Sequence, residues 1–137
     1  TMRAIGIDLG SKTVGISLSD INRIIASPIG TFEIEENNLN EALELVVDYI
    51  KKNNVSTIVL GLPKNMDGSI GFQGEYCLEF KKMLEDATKL EVVLIDERLT
   101  TVIAHKTLKE AKMKNQKRKQ KVDKLAASII LQAYLDK

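Results

Sequence analysis

Three carboxylate positions in this chain stand where an apolar run ends or a helix is expected to begin, and together they could hold a hard divalent cation. Asp8 closes the first apolar run, in Gly6-Ile7-Asp8-Leu9-Gly10. Asp96 and Glu97 follow a later run, Glu91–Ile95, and Asp123 opens the last expected helix. An acid inside an apolar strand is costly unless something pairs with it, which makes Asp8 the most telling of the set. Each also has a plainer reading. Asp8 could cap a turn, Asp123 could answer a helix dipole, and Glu97 could pair with Arg98 or Lys124. Taken together, separated carboxylates at sheet and helix ends can converge on one or two cations through oxygen ligands. Such a centre can activate water and stabilise the leaving oxygen in an in-line phosphoryl displacement. It needs neither histidine nor cysteine. The chain has one of each, His105 and Cys77, so catalytic triads and zinc clusters are poorly supplied. Cys77 reads as a packing residue.

The basic residues are unevenly spread. Net charge is +1, yet Lys112, Lys114, Lys117, Arg118, Lys119 and Lys121 form an acid-free stretch. Its +6 leaves the rest of the chain at −5. A basic segment on an acidic body suits a phosphate backbone held beside carboxylates, although charge runs are often simply solvated loops. Two glycine-bearing loops could approach phosphates as well. One runs from Asp8 to Gly15 and includes Lys12; the other, Gly61–Ser69, includes Lys64 and Asn65. The first is not a Walker loop or a dinucleotide fingerprint, because a strand rather than a helix follows it. Both also read as ordinary turns.

The elements that must position these groups can be read from periodicity. Arg3–Leu9, Val14–Leu18 and a run from Ile24 to Ile34 are short strands joined by tight turns, an antiparallel meander. Pro28 interrupts the third and suits an edge or a bulge. Leu39, Leu43, Val46, Val47 and Ile50 then fall on one helical stripe, with Asn38 and Glu41 as a cap pair. Thr57–Leu60 is a buried-type strand. Phe72, Tyr76, Phe80, Met83 and Leu84 mark a second helix, and Glu91–Ile95 is a further strand. A third helix is expected near Thr100. A last one spans Val122–Leu135, with Val122, Leu125, Ala126, Ile129 and Ala133 inward. The order β-β-β-α-β-α-β-α-α gives an α/β fold: one domain over residues 1–137, a mixed five-stranded sheet with helices on both faces. No apolar run is long enough for a membrane helix, and the first residues lack a secretory signal. A cytoplasmic location is expected.

At these positions the sequence resembles the YqgF/RuvX family over nearly its whole length. The blocks are Gly6–Gly10, Gly61–Ser69, Asp96-Glu97-Arg98-Leu99-Thr100-Thr101 and Val122–Ala127. Members are described as Holliday-junction resolvases and as nucleases that mature the 5′ end of pre-16S ribosomal RNA. The resemblance implies a ribonuclease-H-like fold and a metal-dependent nuclease, hydrolysing phosphodiesters with Mg2+ or Mn2+. It makes Asp8, Glu97 and Asp123 the catalytic, metal-binding carboxylates. Asp96 competes with Glu97, since strand neighbours point to opposite faces; Glu97 is preferred for its longer reach. Lys12, Lys64, Asn65, Arg98, Thr100, Lys117, Arg118 and Lys119 become the nucleic-acid contacts. Lys12 stands where the family commonly has arginine, which keeps charge but loses the bidentate fork. The partner is nucleic acid, an rRNA precursor or branched DNA, and a symmetric junction would suit a homodimer. With no tryptophan and 4% aromatic residues, base stacking is not expected to drive affinity. The rivals are a non-catalytic nucleic-acid-binding module and a nucleotide-binding domain like those of actin and the heat-shock chaperones.

Overall fold

A computed structural model describes residues 2–98, 100 and 115–137, with residues 115–124 described by their backbone alone. Its strands are β1 (Arg3–Leu9), β2 (Thr13–Ser19), β3 (Ala26–Glu33), β4 (Val55–Leu62) and β5 (Glu91–Asp96). Its helices among the described residues are α1 (Leu39–Lys52), α2 (Phe72–Thr88) and α3 (Asn115–Leu135). The strands form one sheet in the order β3-β2-β1-β4-β5. The meander β1–β2–β3 is antiparallel, while β4 and β5 run parallel to β1. The carboxyl ends of β1, β4 and β5 therefore meet at one end of the sheet. The expected mixed sheet is present, and the helix expected near Thr100 falls mostly outside the described residues.

Strand alternation sorts the core into two layers. Ile5, Ile7 and Leu9 of β1, with Ile58, Leu60 and Leu62 of β4, are buried against Ala42, Val46 and Ile50 of α1 and Cys77, Phe80 and Leu84 of α2. Ala4 and Val59 face the other way, against Ile130 and Leu131 of α3. The cap pair of α1 is present: Asn38 Oδ1 accepts the Glu41 N–H at 3.0 Å, and Glu41 Oε1 accepts the Glu35 N–H at 2.7 Å. Pro28 satisfies both of its expected settings. β3 is an edge strand, and its register with β2 jumps so that Ser17 faces Pro28 while Ile16 faces Gly30, leaving Ile29 as the extra residue of a bulge.

Three expectations need correction. The last helix is already present at Asn115, so residues 115–121 of the basic stretch are helix backbone rather than a connection. Lysine, arginine and glutamine are good helix formers and carry the helix back past Val122. Asp123 consequently lies within α3, not at its N-terminus, and the helix dipole gives no account of it. Second, α3 buries Ala127, Ile130 and Leu131, while Leu125, Ala126, Ile129 and Ala133 are only half-buried. The reason is the closeness of the helix to the sheet. A Cβ on Gly6 would lie 2.6 Å from Leu131 Cβ and 2.7 Å from Ala127 O, so the bare glycine of β1 is what lets this face of the helix seat so closely. Ser17 Oγ donates to Ala127 O at 2.7 Å there. Third, Phe72 does not join the α2 core stripe. It is the first residue of the helix and stays 77% exposed.

Candidate active site

Asp8 is half-buried between the buried Ile7 and Leu9 and pairs with Gly15 of β2. Alternation puts it on the α3 side of the sheet, with Ala4 and Gly6. Gly61, near the carboxyl end of β4, is on the same side. A Cβ at Gly61 would collide with Glu97 Oε1 and would lie 2.6 Å from Ile130 Cδ1. Glycine there makes room for the Glu97 carboxylate. Glu97 itself is the first residue after β5, where the chain turns helical. Its carboxyl shares a hydrogen bond with Asp8. Burial, then the charge of Asp8, that shared hydrogen bond and the charge of Asp96 push its pKa up to about 8.

Asp96 and Glu97 have separate tasks. Asp96 accepts from the Arg98 N–H at 3.0 Å and pairs with its guanidinium, Nη2 to Oδ2 at 2.7 Å and Nε to Oδ1 at 3.1 Å. These hydrogen bonds hold the Asp96 carboxyl below the usual range. Arg98 Nη1 also donates to the carbonyls of Met66 and Asn65, at 3.2 and 3.4 Å. Arg98, expected at a phosphate, thus clamps the loop after β4 to the end of β5. Within that loop Asn65 Nδ2 donates to Ser69 Oγ at 3.0 Å, and Asp67 accepts the Ser69 N–H and hydroxyl. Thr100 is buried, and its hydroxyl donates to Glu97 O at 3.2 Å. A side chain shut away behind the turn that bears Glu97 steadies that turn. Lys12 is exposed at the β1–β2 turn, while Lys64, half-buried, and Asn65, exposed, follow β4, all at the same end of the sheet as Asp8.

Cys77 is fully buried beneath the pair, and burial, with Glu97 and Asp8 nearby, pushes its thiol up to about 12. It is a packing residue, as expected, with its thiol held in the protonated form. The side chains of Lys117, Arg118, Lys119 and Asp123 lie outside the described residues, as does His105. Among the described residues no group of three or more acidic, histidine or cysteine side chains is gathered as a metal site. What they bring together is the Asp8–Glu97 pair, two acids of the hard-oxygen type that Mg2+ and Mn2+ prefer. The sequence reading missed Gly61, whose signal was a glycine inside an otherwise apolar strand, and the bracing role of Arg98, for which it carried none.

The architecture is shared with junction resolvases at low identity. RuvC of Thermus thermophilus, solved with a Holliday junction, superposes with a TM-score of 0.57 at 11% identity, covering 98% of this chain and 96% of that one. The yeast mitochondrial Holliday junction resolvase gives 0.59 at 12% identity, over 98% and 78% of the two chains. These fix the fold as that of the ribonuclease-H-like resolvases. Residues 2–137 match the family model RuvX, described as Holliday junction resolvase, and the chain belongs to that family. Its similarity extends to a Staphylococcus aureus (strain JH9) protein named "Putative pre-16S rRNA nuclease", 50% identical over 135 residues, 98% of this chain and 95% of that one.

Proposed function

We propose that this chain is a metal-dependent endonuclease of structured nucleic acid, with Asp8, Glu97 and Asp123 as its catalytic carboxylates and the 5′ end of pre-16S rRNA as its substrate. The Asp8–Glu97 pair carries the reading. Two carboxyls, one within β1 and one in the turn after β5, share one small, partly dry space that a glycine keeps clear, an arrangement costly for folding alone and useful for gripping a dication. A bound Mg2+ or Mn2+ would supply an activated water and neutralise charge on the phosphate. Asp8, in the central strand, is the rigid member, and Glu97 closes on it from the β5 end.

The course of α3 supports the third carboxylate. Gln132 bonds the Ile24 carbonyl and the Ala26 N–H at the far end of the sheet. Ala127 lies beside Gly15, the partner of Asp8. Position 123 is one helical turn further toward the carboxylate end, about 6 Å along the axis. Phosphates flanking the cut would meet Lys12 and Lys64, with Lys117, Arg118 and Lys119 extending the basic surface, so binding would weaken with salt. The rRNA reading is preferred because it comes with the 50%-identical relative, whereas the resolvase structures speak for the fold. We read residues 1–137 as one cytoplasmic domain; no helix among the described residues is long and apolar enough to cross a membrane.

Purified protein should be offered a pre-16S 5′ fragment, a four-way DNA junction and a plain RNA duplex, with Mg2+ or Mn2+. Cleavage of the rRNA fragment that disappears in Asp8→Asn and Asp123→Asn is expected. Cleavage indifferent to both substitutions would overturn the site. Preferential cutting of the junction by a homodimer would overturn the substrate. Salt-sensitive binding without cleavage would favour a non-catalytic module.

A further inference from the structure

Phe72 poses a question that the carboxylate site does not answer. Phe72 is 77% exposed at the start of α2, its apolar ring open to solvent. It stands at the rim of a cavity of about 420 Å³ between the start of α1 and the first turns of α2, walled by Phe72, Tyr76, Met83, Asn37, Asn40 and Glu79. That size is within the roughly 300–1,000 Å³ of small-ligand pockets. Among the described residues its lining includes no lysine or arginine, and the carboxylate of Glu79 would repel a phosphate. An aromatic face, side-chain amides and an acceptor carboxylate suit a flat heterocycle with N–H donors on its edge. The Tyr76 hydroxyl is buried in the wall with no hydrogen-bond partner among the described residues, a deficit that a polar edge would relieve.

The cavity is tied to the carboxylate end of the sheet from both sides. Gln73, next to Phe72, donates from Nε2 to Leu9 O at 3.2 Å, one residue past Asp8. The Asn37 N–H donates to Ser11 O at 2.7 Å, in the turn that carries Lys12. The rim lies on the α1–α2 face and Asp8 on the α3 face, both at the carboxyl end of β1, so a strand cut at Asp8 would reach the rim by passing over that end of the sheet. We infer that Phe72 and the cavity behind it form a subsite for one unpaired nucleobase flanking the cut, so that the enzyme selects substrates with single-stranded nucleotides beside its cleavage site. The inference rests on the nucleic-acid reading above and names the feature of the substrate that this chain recognises.

Binding should be read in an Asp8→Asn background with Mg2+, so that the result stands whether or not the chain cuts. The probes are a fluorescent RNA duplex with a short single-stranded 5′ extension and the same duplex blunt-ended. Phe72→Ala should weaken binding of the extended duplex about tenfold, as loss of one base–aromatic stack does, and leave the blunt duplex unchanged. Phe72→Tyr should restore it, and a 2-aminopurine in the extension should be quenched by Asp8→Asn protein but not by the protein that also carries Phe72→Ala. Equal affinities for both duplexes in the Asp8→Asn parent, or an equal loss for both on Phe72→Ala, would overturn the subsite. No effect of Phe72→Ala on either duplex would overturn it too, and would leave the groove to a protein partner.

Discussion

Glu97 is held where a carboxylate would rather be protonated, and this has consequences that can be measured without any substrate. Folding raises its pKa from an ordinary 4.5 to about 8, so between those values the folded chain keeps a proton that the unfolded chain has lost. Its contribution to stability is complete below the lower value and is lost as pH rises through the upper one. With chelator present, the melting temperature should therefore fall as pH is raised across that window, and Glu97→Gln should flatten the fall. A wild-type profile as flat as the variant's would contradict the crowding of the pair. Added Mg2+ should stabilise more strongly at the high end, since the ligand form is the deprotonated one. Gly61→Ala tests the same geometry from below. Its methyl would displace the Glu97 carboxylate, and a misplacement of this kind costs on the order of 10²-fold in kcat. Single-turnover cleavage by a variant shown by circular dichroism to be folded is the measurement.

At the scale of elements, the end of β5 and the loop after β4 act together. Arg98 joins them through Asp96 and two loop carbonyls. Arg98→Ala should speed hydrogen exchange across residues 63–71 while leaving the salt dependence of nucleic-acid binding unchanged. Lys12→Ala, by contrast, should lower the log–log salt slope by about 1. A drop of that size for Arg98→Ala would return the residue to the phosphate. The contrast shows what a sequence conveys about a site. Asp8 was legible because an acid in an apolar strand is anomalous by itself, and the strands were legible from their alternation. The preference for Glu97 over Asp96 rested on reach; in the fold Asp96 pairs with Arg98, while Glu97 lies against Asp8. Where Arg98 and Thr100 point was not legible, since hydrogen bonding across elements leaves no periodic trace. The face of α3 was misread for a related reason. Glycines on β1 and β2 decide which small helix residues can approach, and they lie more than a hundred positions away in the chain.

At the scale of the molecule, α3 serves as the lid of the sheet, and its seat at Gly6 and Ser17 fixes the height of the whole helix. Gly6→Ala would press a methyl against Ser17 Oγ, Leu131 and Ala127, an overpacking that typically costs about 1–3 kcal/mol. Urea denaturation should report a lower midpoint with an unchanged slope. Nuclease activity should fall further than stability, because position 123 rides on the same helix.

The bulge at Pro28 and Ile29 matters in another setting, that of a crowded solution. Among the described residues β3 is an edge strand, with apolar Ile24, Ile25 and Ile29 exposed along and beside it. Left flat, such a strand would template β-pairing with other chains. Proline withholds a donor from that edge and the extra residue bends it, so the molecule carries its own guard against fibrous self-association, independent of its surface charge.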